Sequence, residues 1–334
     1  MTSLLPLQIV KNFSVLGFYQ KFANINNQTD EERGYKIGFL HRCQHFPYQT
    51  SQDIDNIITQ SERFVILLQQ TPQYVHDFST QILPKLTKPY VIISCMDDGI
   101  FPLEIANSVQ TEYNAISNKP LNYTSTSLLR HWFSINKEPP NTKYVTSIPY
   151  GLDYWTLTTR KLWANTPIST ALQQDELLTK LQKSATHFSK RIPMIYTNYQ
   201  FNIYGNGYIE RTAALQMIPS ELTECETHQI NRYDTWGKYT QFAFVASPRG
   251  NGYDAIRTWE ALMLGCIVIA RRFHQCGMNI LYDGLPVLVV EHWSDVTREL
   301  LDKTLADFST RTFDYEKLTM KYWTDKVYAA FNDA

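Results

Sequence analysis

Seven short apolar runs, and what lies between them, constrain the fold of this chain more than any other feature. They are RFVILLQ (63–69), YVIISC (90–95), KYVTSIP (143–149), MIYTNY (194–199), FAFVAS (242–247), CIVIA (266–270) and VLVVE (287–291). Each has the length of a strand. Most lack the polar alternation of a strand with one wet face, so they read as strands covered on both faces. Between them lie segments with helical spacing, among them YVHDFSTQILPKL (74–86), DAIRTWEALML (254–264) and SDVTRELLDKTLADF (294–308). Strand, helix, strand, repeated, predicts an α/β protein with parallel sheets. At 334 residues the chain is long enough for two domains.

The expected boundary falls between about 153 and 190. IPYGLDYW (148–155) closes the first half, and a polar, helix-prone stretch, LQQDELLTKLQKSATHFSKR (172–191), precedes the next strand. We therefore expect a first Rossmann-like domain at 1–155 and a second at 185–310. A helix in 311–334, carried by FDYEKLTMKYWTDKVYAAF (313–331), should cross back to the first domain. The formal net charge of -1 gives no general drive toward nucleic acid or anionic membrane. No apolar run of about 20 residues is present, and the N-terminus lacks a basic-then-apolar leader. The five cysteines are scattered without a C-x-x-C, which disfavours a disulfide framework or a zinc site. These features lead to the expectation of a cytoplasmic protein with no membrane span, and the sequons at Asn12, Asn27 and Asn122 are read as chance. Aromatic residues reach 13%, and such rings suit the apolar faces of sugars as well as they suit a core.

The chemistry concentrates in SPRGNGYDAIRTWEALMLGCIVIA (247–270), a loop and helix between two strands. Gly250 and Gly252 are expected to supply unusual backbone angles and let a ligand approach the main chain around Asn251. The helix end offers N–H groups and a positive dipole to phosphate. Arg249 and Arg257 add guanidinium groups whose geometry matches phosphate oxygens. Glu260, three residues after Arg257, could accept hydrogen bonds from ribose hydroxyls. The same residues would equally make a capped helix with an Arg257–Glu260 surface pair.

The run FAFVASPRGNGYDAIRTWEALMLGCIVIARRF, with LYDGLPVLVVEHWSDVT after it, resembles the exostosin-like glycosyltransferases, densest over 242–297. YVIISCMDDGIFP (90–102), HWFSINKEPPNTKYVTSIPYGLD (131–153) and MIYTNYQ followed by Arg211 resemble the same group, while 1–80 and 155–190 do so least. The resemblance implies a GT-B fold, two Rossmann-like domains facing across a cleft, and sugar transfer from a nucleotide sugar with inversion. It implies that Arg249 and Arg257 hold the diphosphate, Glu260 the ribose, and that Arg211 reaches the donor. It also implies metal independence, with no cofactor beyond the donor substrate. Relatives often carry histidine before the helix arginine; here it is Ile256.

An inverting transfer needs a base for the acceptor hydroxyl. Asp97 and Asp98 follow the strand YVIISC, at the strand end where α/β sheets place ligands. Asp98, four residues before Pro102, the spacing at which the proteins it resembles often carry an acidic residue, is the first candidate, and Asp97 the second; a loop-capping pair is the plain alternative. His41 and His45, four apart around Cys43, would suit a metal only on a helix with further ligands. QDID (52–55) reads as a solvated helix face, and His131 as a histidine packed beside Trp132. Asp153, Tyr154 or Trp155 could meet an acceptor sugar.

The function expected is transfer of a sugar, UDP-linked by preference (UDP-xylose, for example), to a glycan hydroxyl by a microbial or viral enzyme. Two rivals stand beside it: a nucleotide-sugar epimerase on the same fold, and a non-catalytic glycan-binding protein.

Overall fold

The computed structural model describes residues 10–23, 37–44, 46, 48–95, 128–137, 145–159, 164–199 and 205–332. Among them are two five-stranded sheets, every strand pair parallel, and eleven α-helices. The molecule is therefore α/β with two Rossmann-like parallel sheets.

The first sheet contains β1 (Ile37–Arg42), β2 (Arg63–Gln69), β3 (Tyr90–Cys95), β4 (Leu129–Ser134) and β5 (Val145–Ser147), in that spatial order. Winding in one direction with right-handed crossovers puts the connecting helices on one face. Helices α2 (Ser51–Gln60) and α3 (Pro72–Asp77) accordingly cover Phe64, Ile66, Leu68, Ile92 and Trp132 through Ile54 and Val75. The alternate residues Val65, Leu67, Val91, Ile93 and Phe133 point to the opposite face. A parallel sheet needs both faces covered. Here the two chain ends supply the second layer: α1 (Val15–Ala23) through Phe18 and Phe22, and α11 (Met320–Asn332) through Trp323, Val327 and Phe331.

Local sequence explains the shape of these elements. Thr50 and Asp53 form a reciprocal capping box that starts α2. The stretch 74–86, expected as one helix, is broken into α3, a π turn (Phe78–Ile82) and a 3-10 turn (Leu83–Lys85). Pro84 has no N–H and its ring displaces the carbonyl four residues back, so α-helical bonding cannot run through it. The last helix is shorter than its apolar pattern. Thr319 pairs with Asn12 in an isolated bridge, and Met320 N–H donates to the Lys11 carbonyl at 2.9 Å. That bridge divides a 3-10 turn (Tyr315–Leu318) from α11.

The second sheet runs β10 (Val287–Val290), β9 (Ile267–Arg271), β8 (Phe242–Ala246), β6 (Ile192–Thr197), β7 (Thr223–Cys225). From β6 the chain steps outward to β7 through α6 (Asn206–Met217). It returns through α7 (Arg232–Tyr239) to the other side of β6 at β8, then continues through α8 (Ile256–Met263) and α9 (Met278–Tyr282) to β9 and β10. The direction reverses between β6 and β8. Right-handed crossovers then place α6 on one face and α7 and α8 on the other. Ala214 of α6 shares a cluster with Ile195 and Phe244, whereas Trp236 of α7 and Trp259 of α8 share one with Tyr196 and Val245. α10 (Arg298–Phe308), capped by Thr297, joins the α6 face through Leu301 and Phe308. Between the sheets lie α4 (Trp155–Thr159) and α5 (Ala171–Ser184), the latter started by a Thr170–Gln173 capping box.

All seven apolar runs form strands. Three further strands, β1, β4 and β7, were not among them. His41 lies on the strand β1, so the helical setting that a metal pair with His45 would need is not what holds it. His45 falls outside the described residues. Gln52 to Asp55 do lie on a largely exposed helix, α2. His131, on β4, bonds Thr146 Oγ1 through Nε2 at 3.0 Å.

Candidate functional site

In open α/β sheets the strand-order reversal splays two loops apart at the carboxyl ends of the strands and leaves a crevice there. The second sheet has its reversal between β6 and β8, and the crevice is a cavity of about 410 Å³. Asn198 and Tyr199, just past β6, form one wall; Ala255, Ile256, Arg257 and Glu260, at the start of α8, form another. Arg211 enters from α6, Arg232 from α7, and residues 226–230 close the outer side.

Positive charge is gathered at the α8 end. Arg211 is buried, and Arg257 lies with its guanidinium 5.2 Å from the Tyr199 ring centroid. Burial first, and then the like charge of Arg257, pull Arg211 below its ordinary value to about 9, while Tyr199 pushes the other way. Two guanidinium groups in one crevice repel each other, and an anion between them relieves that repulsion. The helix end adds to this. The N-cap is Ala255, which has no side chain able to accept from the first-turn amides. An anion seated there would cap α8 and meet the positive end of its dipole.

Gly250 completes the approach. The left-handed glycines of the described chain are Gly151, Gly205, Gly265 and Gly284, so Gly250 and Gly252 do not serve through unusual φ values as expected. What Gly250 provides is space: a methyl group there would stand 3.1 Å from Arg211 Nη2. Asn251, at the tip of the loop, is exposed, and Gly252 is buried.

Arg249 is placed differently from the expectation. Its Nη2 donates to the Asn251 carbonyl at 2.6 Å, and its guanidinium lies 3.6 Å from the Tyr253 ring centroid. It holds the loop in shape rather than lining the cavity. Glu260 also departs from the simple alternative, since its partner is not Arg257. Arg232 Nε donates to Glu260 Oε1 at 2.6 Å, and Nη2 pairs with the same oxygen. Behind Arg232, Asp153 Oδ2 lies 3.7 Å from Nη1. Burial opposes the Arg232 charge, but Glu260 and then Asp153 outweigh it and raise its pKa. Sequence reading missed Arg232 entirely.

The glycine loop also ties the two halves together. Asp254 accepts from Tyr150 N–H at 2.5 Å and from Trp259 Nε1 at 2.6 Å, and its own N–H donates to Asn136 Oδ1 at 2.9 Å. Burial pushes its carboxyl up to about 6, against the pull of those two donors. Asp97 and Asp98 lie outside the described residues. No group of three or more His, Cys, Asp or Glu side chains able to hold a metal ion occurs among the described residues, and no helix there is long and apolar enough to cross a membrane.

No family model matches the chain, and no curated protein matches it significantly.

Proposed function

We propose that this chain is a nucleotide-sugar-dependent glycosyltransferase of the GT-B, exostosin-like kind, acting with inversion on a glycan hydroxyl. The observation that carries the reading is the pairing of Arg211 and Arg257 beside the uncapped start of α8, at the reversal point of the second sheet. A diphosphate supplies the charge that both features favour. Glu260 lines the same cavity, and in this reading it accepts from the ribose.

In this reading the second half binds the donor, UDP-linked by the family resemblance, and the first half binds the acceptor. The acceptor oxygen attacks the anomeric carbon as the bond from that carbon to the phosphate oxygen breaks. Asp98, or failing it Asp97, takes the acceptor proton. The negative charge that grows on the leaving diphosphate falls on Arg211, Arg257 and the α8 amides, which are already oriented to receive it. Fixed guanidinium groups do the charge work that a divalent metal does elsewhere, so EDTA should leave binding intact.

The test is a thermal-shift panel of UDP, GDP and their sugar conjugates on wild type and Arg257→Ala. A ligand at 100 times its Kd stabilises by about 2.7 kcal/mol. One nucleotide family should raise the Tm with or without EDTA, and the gain should vanish in Arg257→Ala. No shift with any nucleotide would move the reading to a glycan-binding protein. A changed donor sugar without acceptor would move it to an epimerase.

A further inference from the structure

We infer that Arg232 is a positioning residue of the donor site: it fixes the Glu260 carboxylate so that Oε2 faces the cavity as the acceptor for the vicinal hydroxyls of a ribose. This rests on the nucleotide reading above and extends it to a residue from a different helix. Both Arg232 contacts, from Nε and Nη2, fall on Glu260 Oε1. Oε2 is therefore the oxygen left to the cavity that Glu260 lines. A glutamate on its own has three rotatable bonds, and a carboxylate that swings freely recognises a diol poorly. Two guanidinium N–H groups converging on Oε1 anchor that oxygen and restrict how far the carboxylate can swing.

Arg232 is itself held on several sides. Its Nη1 faces Asp153, its backbone N–H donates to Thr166 Oγ1 at 2.8 Å, and its guanidinium lies 5.6 Å from the Trp236 ring centroid. Asp153 in turn is fixed by accepting from Thr156 N–H at 2.9 Å. The carboxylate that meets the ribose is thus oriented by a buried chain from Asp153, through Arg232, to Glu260. Lysine cannot replace this arginine, because an ammonium is a point donor without the planar fork.

The experiment is calorimetric titration of full-length wild type, Arg232→Lys and Glu260→Asp. The ligands are UDP and 2′-deoxy-UDP (or the GDP pair, if the wild type prefers it), with inorganic pyrophosphate as the probe for the arginine end. Wild type should favour the ribonucleotide by about ten- to a hundredfold, the range for a hydrogen bond to a charged group. In Arg232→Lys that ratio should fall to within about threefold of one, with pyrophosphate affinity unchanged. Glu260→Asp keeps both charges but withdraws the carboxylate by one methylene, and it should lose the ratio in the same way. It reports on the Glu260 end alone, and Arg232→Gln, which keeps an N–H donor without the guanidinium fork, carries the test of Arg232 if Arg232→Lys does not fold. A wild-type ratio retained in a folded Arg232 variant overturns the role of Arg232, and one retained in Glu260→Asp overturns that of Glu260. A wild type that binds pyrophosphate but neither nucleotide overturns the nucleotide reading itself, and the inference with it.

Discussion

At the scale of single residues, the candidate site depends on which side chains are kept away from one another and which are brought together. Gly250 is the clearest case of the first kind. Its missing side chain gives Arg211 Nη2 its place, and a Cβ at 3.1 Å is close enough that the guanidinium must give way. Gly250→Ala should therefore change the Tm by less than about 2 °C, because the displaced group is the far end of a flexible chain. It should weaken pyrophosphate binding measurably, because the Arg211 guanidinium must give way from its place in the crevice. Titration with pyrophosphate beside a melting curve separates the two effects, and equal affinity in the variant would show that Arg211 does not contact the anion. Much of this site is legible in the sequence. Arg257 and Glu260 share one helix three residues apart, and a glycine loop before a helix is a recognisable signal for phosphate. The separate tasks of Arg249 and Arg257 are not legible, since both are arginines beside the same loop and it is the Asn251 carbonyl and the Tyr253 ring that fold Arg249 back. Arg232 leaves no local trace either: it lies 28 residues from Glu260 and meets it only because α7 and α8 share one face of the sheet.

At the scale of elements, the strands that could be read directly are those with continuous apolar runs, because burial on both faces demands them. β4, LRHWFS, carries Arg130 and His131, and β1, IGFLHR, runs into a polar segment, so neither stands out from its surroundings. β7 has three residues at the sheet edge and takes its strand form from pairing with β6, a contact that composition does not encode. Helix ends show the same division. Thr50, Thr170 and Thr297 are recognisable caps, but the end of α8 is built from distant parts. Gly265 takes a φ of +77°, and Arg191 Nη2 donates to the Leu264 carbonyl at 2.9 Å while Nη1 donates to the Tyr239 carbonyl at 3.0 Å. One guanidinium thus closes the ends of α7 and α8 together. An alanine at 265 would be strained in φ, and its Cβ would stand 2.9 Å from Arg191 Nη2. Gly265→Ala should cost about 2 kcal/mol or more, read as a lowered urea midpoint with an unchanged slope. A midpoint equal to wild type would mean that the turn relaxes without loss.

At the scale of the whole molecule, the halves are joined by the two chain ends and by the loop that precedes α8. α11 covers the face of the first sheet that one-way winding leaves bare, and Trp323, with its Nε1 donating to the Lys317 carbonyl at 2.8 Å, is the large side chain at its start. Trp323→Ala should destabilise by about 3–5 kcal/mol, measured by denaturant unfolding. Asp254 is the more informative contact, because it joins Tyr150 of the first half to Trp259 of the second and titrates near the physiological range. Its ordinary value is 3.8 and burial raises it to about 6 in the folded protein. The native state therefore holds this proton more tightly than the unfolded chain does. The associated stability is complete below about pH 4, declines as pH rises, and is gone above about pH 6. Asp254→Asn cannot titrate, and its amide can accept from only one of the two donors. The stability of wild type minus that of Asp254→Asn should accordingly shrink by on the order of 2 kcal/mol between pH 4 and pH 7, part of the shift being screened at a side chain that is not wholly enclosed. Taking the difference cancels the other carboxylates, whose own acid transitions run the opposite way. If the difference stays constant across that interval, Asp254 titrates as an ordinary aspartate and the contact between Tyr150 and the α8 loop is made in solution by other groups.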